Sequence, residues 1–381
     1  MTKVNSAIGR TSISESVRMK LWAVSGGRCE LCNRLLYQDL VYGHDGNFGE
    51  MAHIHAVSEG GPRHKFGMTS EEKNCIDNLM LLCEEHHHMI DNSPEEFQDG
   101  FLLQKKREHE ARIRSVTEIP PEQTCRRITY FSNIDHYEDF SSERLLNQAI
   151  LFSGKVPMQE PVISLSEDSH VRYEPTKAMF QMKEQDLERQ FRIWFNKIVK
   201  CQDSVGVFAL APQPLLFKLG TLINDQYNVM VFQCHRTGHK WAWPNIENEI
   251  EYIFHQTKAG SGSCVALVLD LSASVMDDRI TSVLSEDVSI FHLTLAEPCR
   301  TFVTNEKIQN DFVVAFRKAM EHIKNLRPAP PAIRVFPVMP NSLAIRAGMD
   351  YMPKTDLPII LYEQANSTDG FFETLSLGGS L

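Results

Sequence analysis

Two stretches of this 381-residue chain, VFALAPQPLLFKLG (207–220) and VFPVMPNSLAIRAG (335–348), align on one another without a gap. Val207/Val335, Phe208/Phe336, Pro212/Pro340, Leu215/Leu343 and Gly220/Gly348 are identical, and Lys218 aligns with Arg346. Each copy reads as a short apolar strand, a proline-bearing loop and the start of a helix. Helical periodicity precedes each copy, in QDLERQFRIWFNKIVK (185–200) and IQNDFVVAFRKAMEHI (308–323), and a β-rich run follows, NVMVFQ (228–233) or LPIILY (357–362). The repeat, about 183–234 and 308–363, therefore predicts helix–strand–loop–helix–strand twice. That is an α/β domain of two Rossmann-like halves packed about a pseudo-twofold axis. Ligands in such folds sit beyond the carboxyl ends of the strands. The APQP (211–214) and MPNS (339–342) loops are therefore the expected site, with backbone N–H groups at helix starts available to phosphates.

Composition bounds the rest. There are 39 Lys+Arg against 49 Asp+Glu, a formal charge of −10, so the chain does not coat nucleic acid by bulk charge. At 42% hydrophobic and 23% charged it has the make-up of folded domains. The apolar run VALVLDL (265–271) is too short to span a bilayer and carries Asp270, so no membrane partner is expected. MTKVNSAIGRTSISES at the amino terminus has no apolar signal core, and the cytoplasm is the expected compartment. The nine cysteines are an odd number, and four of them (Cys29, Cys32, Cys75 and Cys83) fall early, with eight of the fifteen histidines in residues 1–120. That enrichment points to metal rather than disulfides.

The first 120 residues carry the metal signal. SISESVRMKLWAVS (12–25) reads as an amphipathic helix capped at Ser12, with Glu15 as its capping-box partner. MAHIHAV (51–57) reads as a strand, and FQDGFLLQKKREHEARIRSV (97–116) as a helix with a basic face. Cys29-x2-Cys32 and Cys83-x2-His86 form two matched knuckles, the spacing of a closed tetrahedral Zn2+ site whose role is structural. TEIPPEQ (117–123) breaks the pattern. The expected organisation is α+β overall: a small domain over 1–120, a linker over 121–135 and the α/β domain over 136–381.

GEMAHIHAVSEGGPR (49–63) and CIDNLMLLCEEHHHMID (75–91) together resemble the motif of HNH endonucleases, a small zinc-stabilised ββα-metal fold. The matching positions are His53, the Gly60-Gly61 pair, Asn78, the second knuckle and His87. By this resemblance His53 is the general base, Asn78 orients the base or its loop, and His87 binds a catalytic divalent cation such as Mg2+. Phosphodiester hydrolysis needs that chemistry: a proton acceptor near neutral pKa and a cation on the scissile phosphate. The chain departs from the pattern at Ala52, where many members carry Asp or His as a second metal ligand. His55, Glu50, Asp77 and His88 are the candidates to make good that loss. The basic run 105–114 is the stretch of this domain suited to DNA phosphates.

The remainder resembles the SAVED domain, a fused pair of CARF-like Rossmann units that senses cyclic oligonucleotides. The resemblance rests on VFALAPQP, VFQCHRTGHKWAWP (231–244), VALVLDLSASV (265–275), IFHLTLAEP (290–298) and VFPVMPNSLAIRAG. The whole chain is thus similar to HNH–SAVED effector nucleases of bacterial CBASS anti-phage systems. That likeness implies a cyclic di- or trinucleotide made by a partner nucleotidyltransferase, a double-stranded DNA substrate and a homo-oligomeric active state. Candidate ligand-binding residues are Gln233, Arg236, Trp241, Trp243, Pro340, Asn341, Ser342, Lys354 and Tyr362: the aromatics to stack on bases, the polar groups for phosphates or base edges. Two rival functions carry distinct signatures. A modification-dependent restriction endonuclease needs a basic carboxy-terminal face, yet residues 121–381 hold 25 Lys+Arg against 31 Asp+Glu. A catalytically dead zinc-stabilised adaptor has no need of His53, Asn78 and His87 together.

Overall fold

The computed structural model describes residues 12–132, 138–166, 173–199, 204–223, 228–236, 240–244, 246, 248–261, 263–364 and 370–378. The chain divides into two compact units, Met1–Ile119 and Pro120–Leu381.

The first unit contains α1 (Glu15–Val24), β1 (Gly49–His53), α2 (Ser70–Lys73), β2 (Leu79–Cys83), α3 (Glu84–Asn92) and α4 (Asp99–Thr117). The N-cap of α1 is Ser14, not Ser12: its side chain accepts from the Val17 amide. β1 and β2 pair antiparallel, from Gly49↔Cys83 to His53↔Leu79. All five β2 residues are buried, which explains the unbroken apolar run LMLLC. β1 is shorter than the expected 51–57 strand. The Asn78 side chain bonds both the amide and the carbonyl of His55, so the main chain leaves the ladder after His53. The apolar core is small, built around Leu21, Ile54, Leu79–Leu82, Ile90 and Leu102.

The second unit holds two sheets. One is built from β3 (Thr124–Phe131), β4 (Val156–Pro157), β5 (Ile163–Ser164), β6 (Ser204–Leu210) and β7 (Val229–Phe232), with helices α5 (Glu138–Ser141), α6 (Glu143–Phe152), α7 (Lys177–Val199) and α8 (Gln213–Ile223). The other comprises β8 (Ile253–Lys258), β9 (Val265–Asp270), β10 (Ser289–Thr294), β11 (Ile333–Val338), β12 (Ile359–Gln364) and β13 (Phe371–Leu377). Helices α9 (Asp277–Thr281), α10 (Glu306–Lys324) and α11 (Asn341–Asp350) accompany it. Their orders are β4-β3-β6-β7, with β5 also on β3, and β13-β12-β11-β9-β10-β8. In each sheet the first parallel strand, β3 or β9, is central; the chain builds to one side, then crosses to the other. That reversal is the switch point at which α/β sheets bind ligands.

The expected linker 121–135 needs correction. Residues Thr124–Phe131 form β3, which pairs with β6 from Cys125↔Ser204 to Phe131↔Leu210. The break at TEIPPEQ (117–123) ends before this strand, in which Arg126 and Arg127 are buried: Arg126 Nη1 donates to Glu160, and the two terminal nitrogens of Arg127 donate to Asn147 and to the Met158 carbonyl.

The repeat is the heart of the unit. β6–α8–β7 and β11–α11–β12 are its two copies, and α8 packs against α11. A Cβ at Gly220 would strike the Ile345 carbonyl, and one at Gly348 would strike the Phe217 carbonyl. Phe217 and Ile345 are themselves aligned positions, so the contact is reciprocal about the pseudo-twofold axis. Lys218 reaches Glu184 and Glu188 of α7 at 2.9 and 2.6 Å, while Arg346 bonds Asn310 of α10 at 2.7 Å. α10 shows why the pattern folds: Asn305 caps it, and Ile308, Phe312, Phe316 and Ile323 form one buried stripe.

Candidate functional site

Gly26 and Gly27, at φ of 61° and 64°, turn the chain after α1 into the first knuckle. The second knuckle spans the end of β2 and the first turn of α3. Together they bring single donor atoms of Cys29, Cys32, Cys83 and His86 within 4.8 Å of one another, the one such group among the described residues. Cys83 Sγ lies 3.1 Å and Cys29 Sγ 3.8 Å from His86 Nδ1, with Cys32 Sγ 4.0 Å from Cys83 Sγ. Tetrahedral zinc, with Zn–S bonds of about 2.3 Å, has edges of about 3.8 Å, so three thiolates and an imidazole at this spacing fit the ion.

The HNH-like residues divide into two groups. His53, at the end of β1, is half-buried with Nε2 3.0 Å from Asn74 Oδ1. Asn78 is buried and spends its amide on His55 and on the Lys73 carbonyl, pinning the loop after His53. His55 Nδ1 lies 3.2 Å from the Arg63 carbonyl, and its Nε2 is 4.0 Å from Asp99. His55 lies past the end of the strand that carries His53. On α3, His87 Nδ1 is 2.5 Å from Glu50 Oε2, and its Nε2 is 3.5 Å from Asp91. His88 is exposed and faces Glu84. The basic run on α4 is largely engaged within the unit: Lys105 pairs with Glu108, buried Lys106 with Glu110, and Arg112 with Asn33.

In the second unit a cavity of about 970 Å³ opens beyond the carboxyl ends of both sheets. It is lined by Leu210 and Gln213 from one repeat copy, and by Val338, Met339, Pro340 and Asn341 from the other. Gln233 and Glu363 reach it from the ends of β7 and β12, and Arg236, Lys240 and Arg300 supply positive charge. The two halves cap each other's helices. Glu363 Oε2 accepts from the Gln213 amide at the start of α8 (3.0 Å), and Gln233 Oε1 accepts from the Ser342 amide at the start of α11 (3.1 Å). Gln213 also donates to the Met339 carbonyl across the axis. Burial, only partly offset by the Gln364 and Gln213 amides, pushes the Glu363 carboxyl up to about 7. Burial likewise lowers the pKa of His235, which favours its neutral form.

Of the nine candidate ligand residues, Gln233, Arg236, Trp243, Pro340 and Asn341 line this cavity. Ser342 is fully buried behind it, with its amide taken by Gln233. Three expectations are corrected. Trp241 is 1% exposed, packs edge-on to Phe208 and donates its Nε1–H to the Phe140 carbonyl, so it is core. Tyr362 is buried and stacked on Phe336 at 4.4 Å. Lys354 is exposed between α11 and β12, at the opposite end of the sheet from the strand carboxyl ends. Lys240, Arg300 and Glu363 also line the cavity. Lys240 falls in the SAVED-like stretch 231–244, whereas no local pattern marks Arg300 or Glu363.

Residues 187–377 match the family model described as the SMODS-associated and fused to various effectors sensor domain (SAVED). The chain belongs to the SAVED family. Among solved structures it is similar to the SAVED/CARF-domain containing receptor Cap4 of Acinetobacter baumannii with the cyclic trinucleotide 3′3′3′-cAAA. That match has 11% identity and a TM-score of 0.43, over 77% of this chain and 62% of the receptor. The Moraxella osloensis Cap4 receptor matches at 9% identity and a TM-score of 0.39, over 82% of this chain and 61% of the receptor. The SAVED chain thus spans somewhat under two thirds of these receptors' length. No curated protein matches it.

Proposed function

We propose that this SAVED protein is a cyclic-oligonucleotide-activated, metal-dependent endonuclease that cuts double-stranded DNA in anti-phage defence. One observation carries the reading: in one chain, a sensor-family unit whose cavity is lined by both repeat copies follows a unit bearing His53, Asn78, His87 and a zinc-type Cys3His cluster. Arg236, Lys240 and Arg300 suit phosphates, and Trp243 offers a face for a base. In the effector unit His53 takes the proton of the attacking water, and Asn78 holds the loop that follows it. His87 holds a divalent cation which, when bound, neutralises charge on the scissile phosphate. The first unit carries 14 Lys+Arg and 18 Asp+Glu, so one copy holds DNA weakly, and ligand-driven assembly raises avidity by placing several sites on one duplex.

The test incubates the zinc-loaded protein with plasmid and Mg2+, alone or with cyclic di- and trinucleotides; the cyclic trinucleotides carried by the Acinetobacter baumannii receptors come first. Cleavage confined to one ligand is expected. Equal cleavage without ligand removes the gating. Absence of cleavage under every condition favours an adaptor. His53→Ala abolishes cutting and leaves ligand binding and zinc content intact.

A further inference from the structure

The HNH-like unit has Ala52 where a second metal ligand is expected, and an alanine cannot ligate. We infer that Glu50 supplies the missing carboxylate, so that the catalytic cation is held by Glu50 Oε2 and His87 Nδ1 while Asp91 positions the imidazole from its far side. The inference rests on the nuclease reading above and deepens it.

Three observations converge. Glu50 and Ala52 are two residues apart within β1, opposite Leu82 and Met80, so they share a strand face. A carboxylate lost at position 52 is thus regained one pleat upstream on that face. Second, Glu50 Oε2 and His87 Nδ1 are already 2.5 Å apart. A hard octahedral cation with bonds of about 2.1 Å holds neighbouring donors about 3.0 Å apart. A small opening of the pair admits it, and the side chains, 44% and 29% exposed, have room to give.

The third observation is the arrangement behind the imidazole. His87 Nε2 faces Asp91 Oδ2 at 3.5 Å, and Asp91 Oδ1 accepts from Arg63 Nη2 at 3.2 Å. The Arg63 side chain is 6% exposed and anchored further by the Ile54 and Ile90 carbonyls. Metal-binding histidines are commonly oriented in this way, the free ring N–H donating to a carboxylate that is itself held. Asp91 approaches the nitrogen opposite Glu50, which makes it a positioning residue and not a ligand. The remaining coordination positions are left to water and phosphate oxygens, the preference of Mg2+ or Mn2+.

The test uses the full zinc-loaded chain and Mn2+ as the probe, read by electron paramagnetic resonance, with plasmid cleavage measured separately. Glu50→Gln keeps the size and removes the charge; it is expected to weaken Mn2+ binding at least about tenfold. Zinc content and melting temperature are expected to stay unchanged. Glu50→Asp recovers part of the affinity, and His87→Ala removes the site. Unchanged Mn2+ affinity in Glu50→Gln, with loss in His87→Ala, overturns the inference while leaving the nuclease reading untouched. Glu50-dependent Mn2+ binding in a protein that never cuts DNA supports the site and rejects the nuclease reading instead.

Discussion

At the scale of single residues, the cavity of the second unit is shaped by two side chains in corresponding places with different charge. Gln233 and Glu363 stand at the carboxyl ends of β7 and β12, and each caps the first turn of the other half's helix. Under the proposed function, in which the cavity takes an anionic ligand, a neutral amide and a carboxylate are not interchangeable there. Burial raises the Glu363 carboxyl from its ordinary 4.5 to about 7, so the folded chain binds a proton that the unfolded chain releases. Between those values stability falls as pH rises, because the native state holds more protons there. Glu363→Gln is therefore expected to flatten the decline in melting temperature between about pH 4.5 and about pH 7. An unchanged pH profile in the variant removes Glu363 from the explanation. The same substitution takes a negative charge from the start of α8, so anionic ligands are expected to bind more tightly.

At the scale of elements, the α8–α11 contact decides whether the two halves form one body. Helices approach this closely only where side chains are absent, and Gly220 and Gly348 face each other's backbones there. Gly348→Ala forces the helices apart at the Phe217 carbonyl, and overpacking of this kind costs about 1–3 kcal/mol. Denaturant titration measures the loss; a stability equal to wild type refutes the close approach. Gly220→Ala is expected to behave alike. Because the two positions touch, the double variant is expected to depart from additivity. The buried bond from Gln309 on α10 to the Val231 carbonyl on β7 ties the halves at a second point.

At the scale of the whole molecule, the two units draw on different sources of stability. The second has a continuous core running through both repeat copies, from Val207 and Phe217 to Phe316, Val335 and Ile345. The first has a small core and a Cys3His cluster. Structural zinc supplies about 10–16 kcal/mol of apparent binding energy in small zinc domains, enough to decide whether such a unit folds. A strong chelator is expected to abolish the calorimetric transition of residues 1–119 and leave that of 120–381 in place. One zinc per chain by elemental analysis, lost in Cys83→Ser, completes the check; loss of both transitions together refutes the division.

The repeat, its strand–loop–helix grammar and the two knuckles were legible in the sequence because each depends on residues a few positions apart. Period, turn residues and ligand spacing are local properties, and they predicted the Rossmann-type halves and the loops that border the cavity. Whether a given side chain lines that cavity depends on partners far along the chain. Gln213 meets Glu363 across 150 positions, and Gln233 meets Ser342 across 109. No local pattern separates Trp241, buried against Phe208, from Trp243, two residues on and lining the cavity. Nor does one show that Asn78 ends β1 before His55, or that TCRRITYF hides two arginines inside a sheet. Local pattern is enough to say which elements form and which donors can gather. Which side chains line the cavity and which are core follows from the fold, which brings distant helix starts and strand ends to one place.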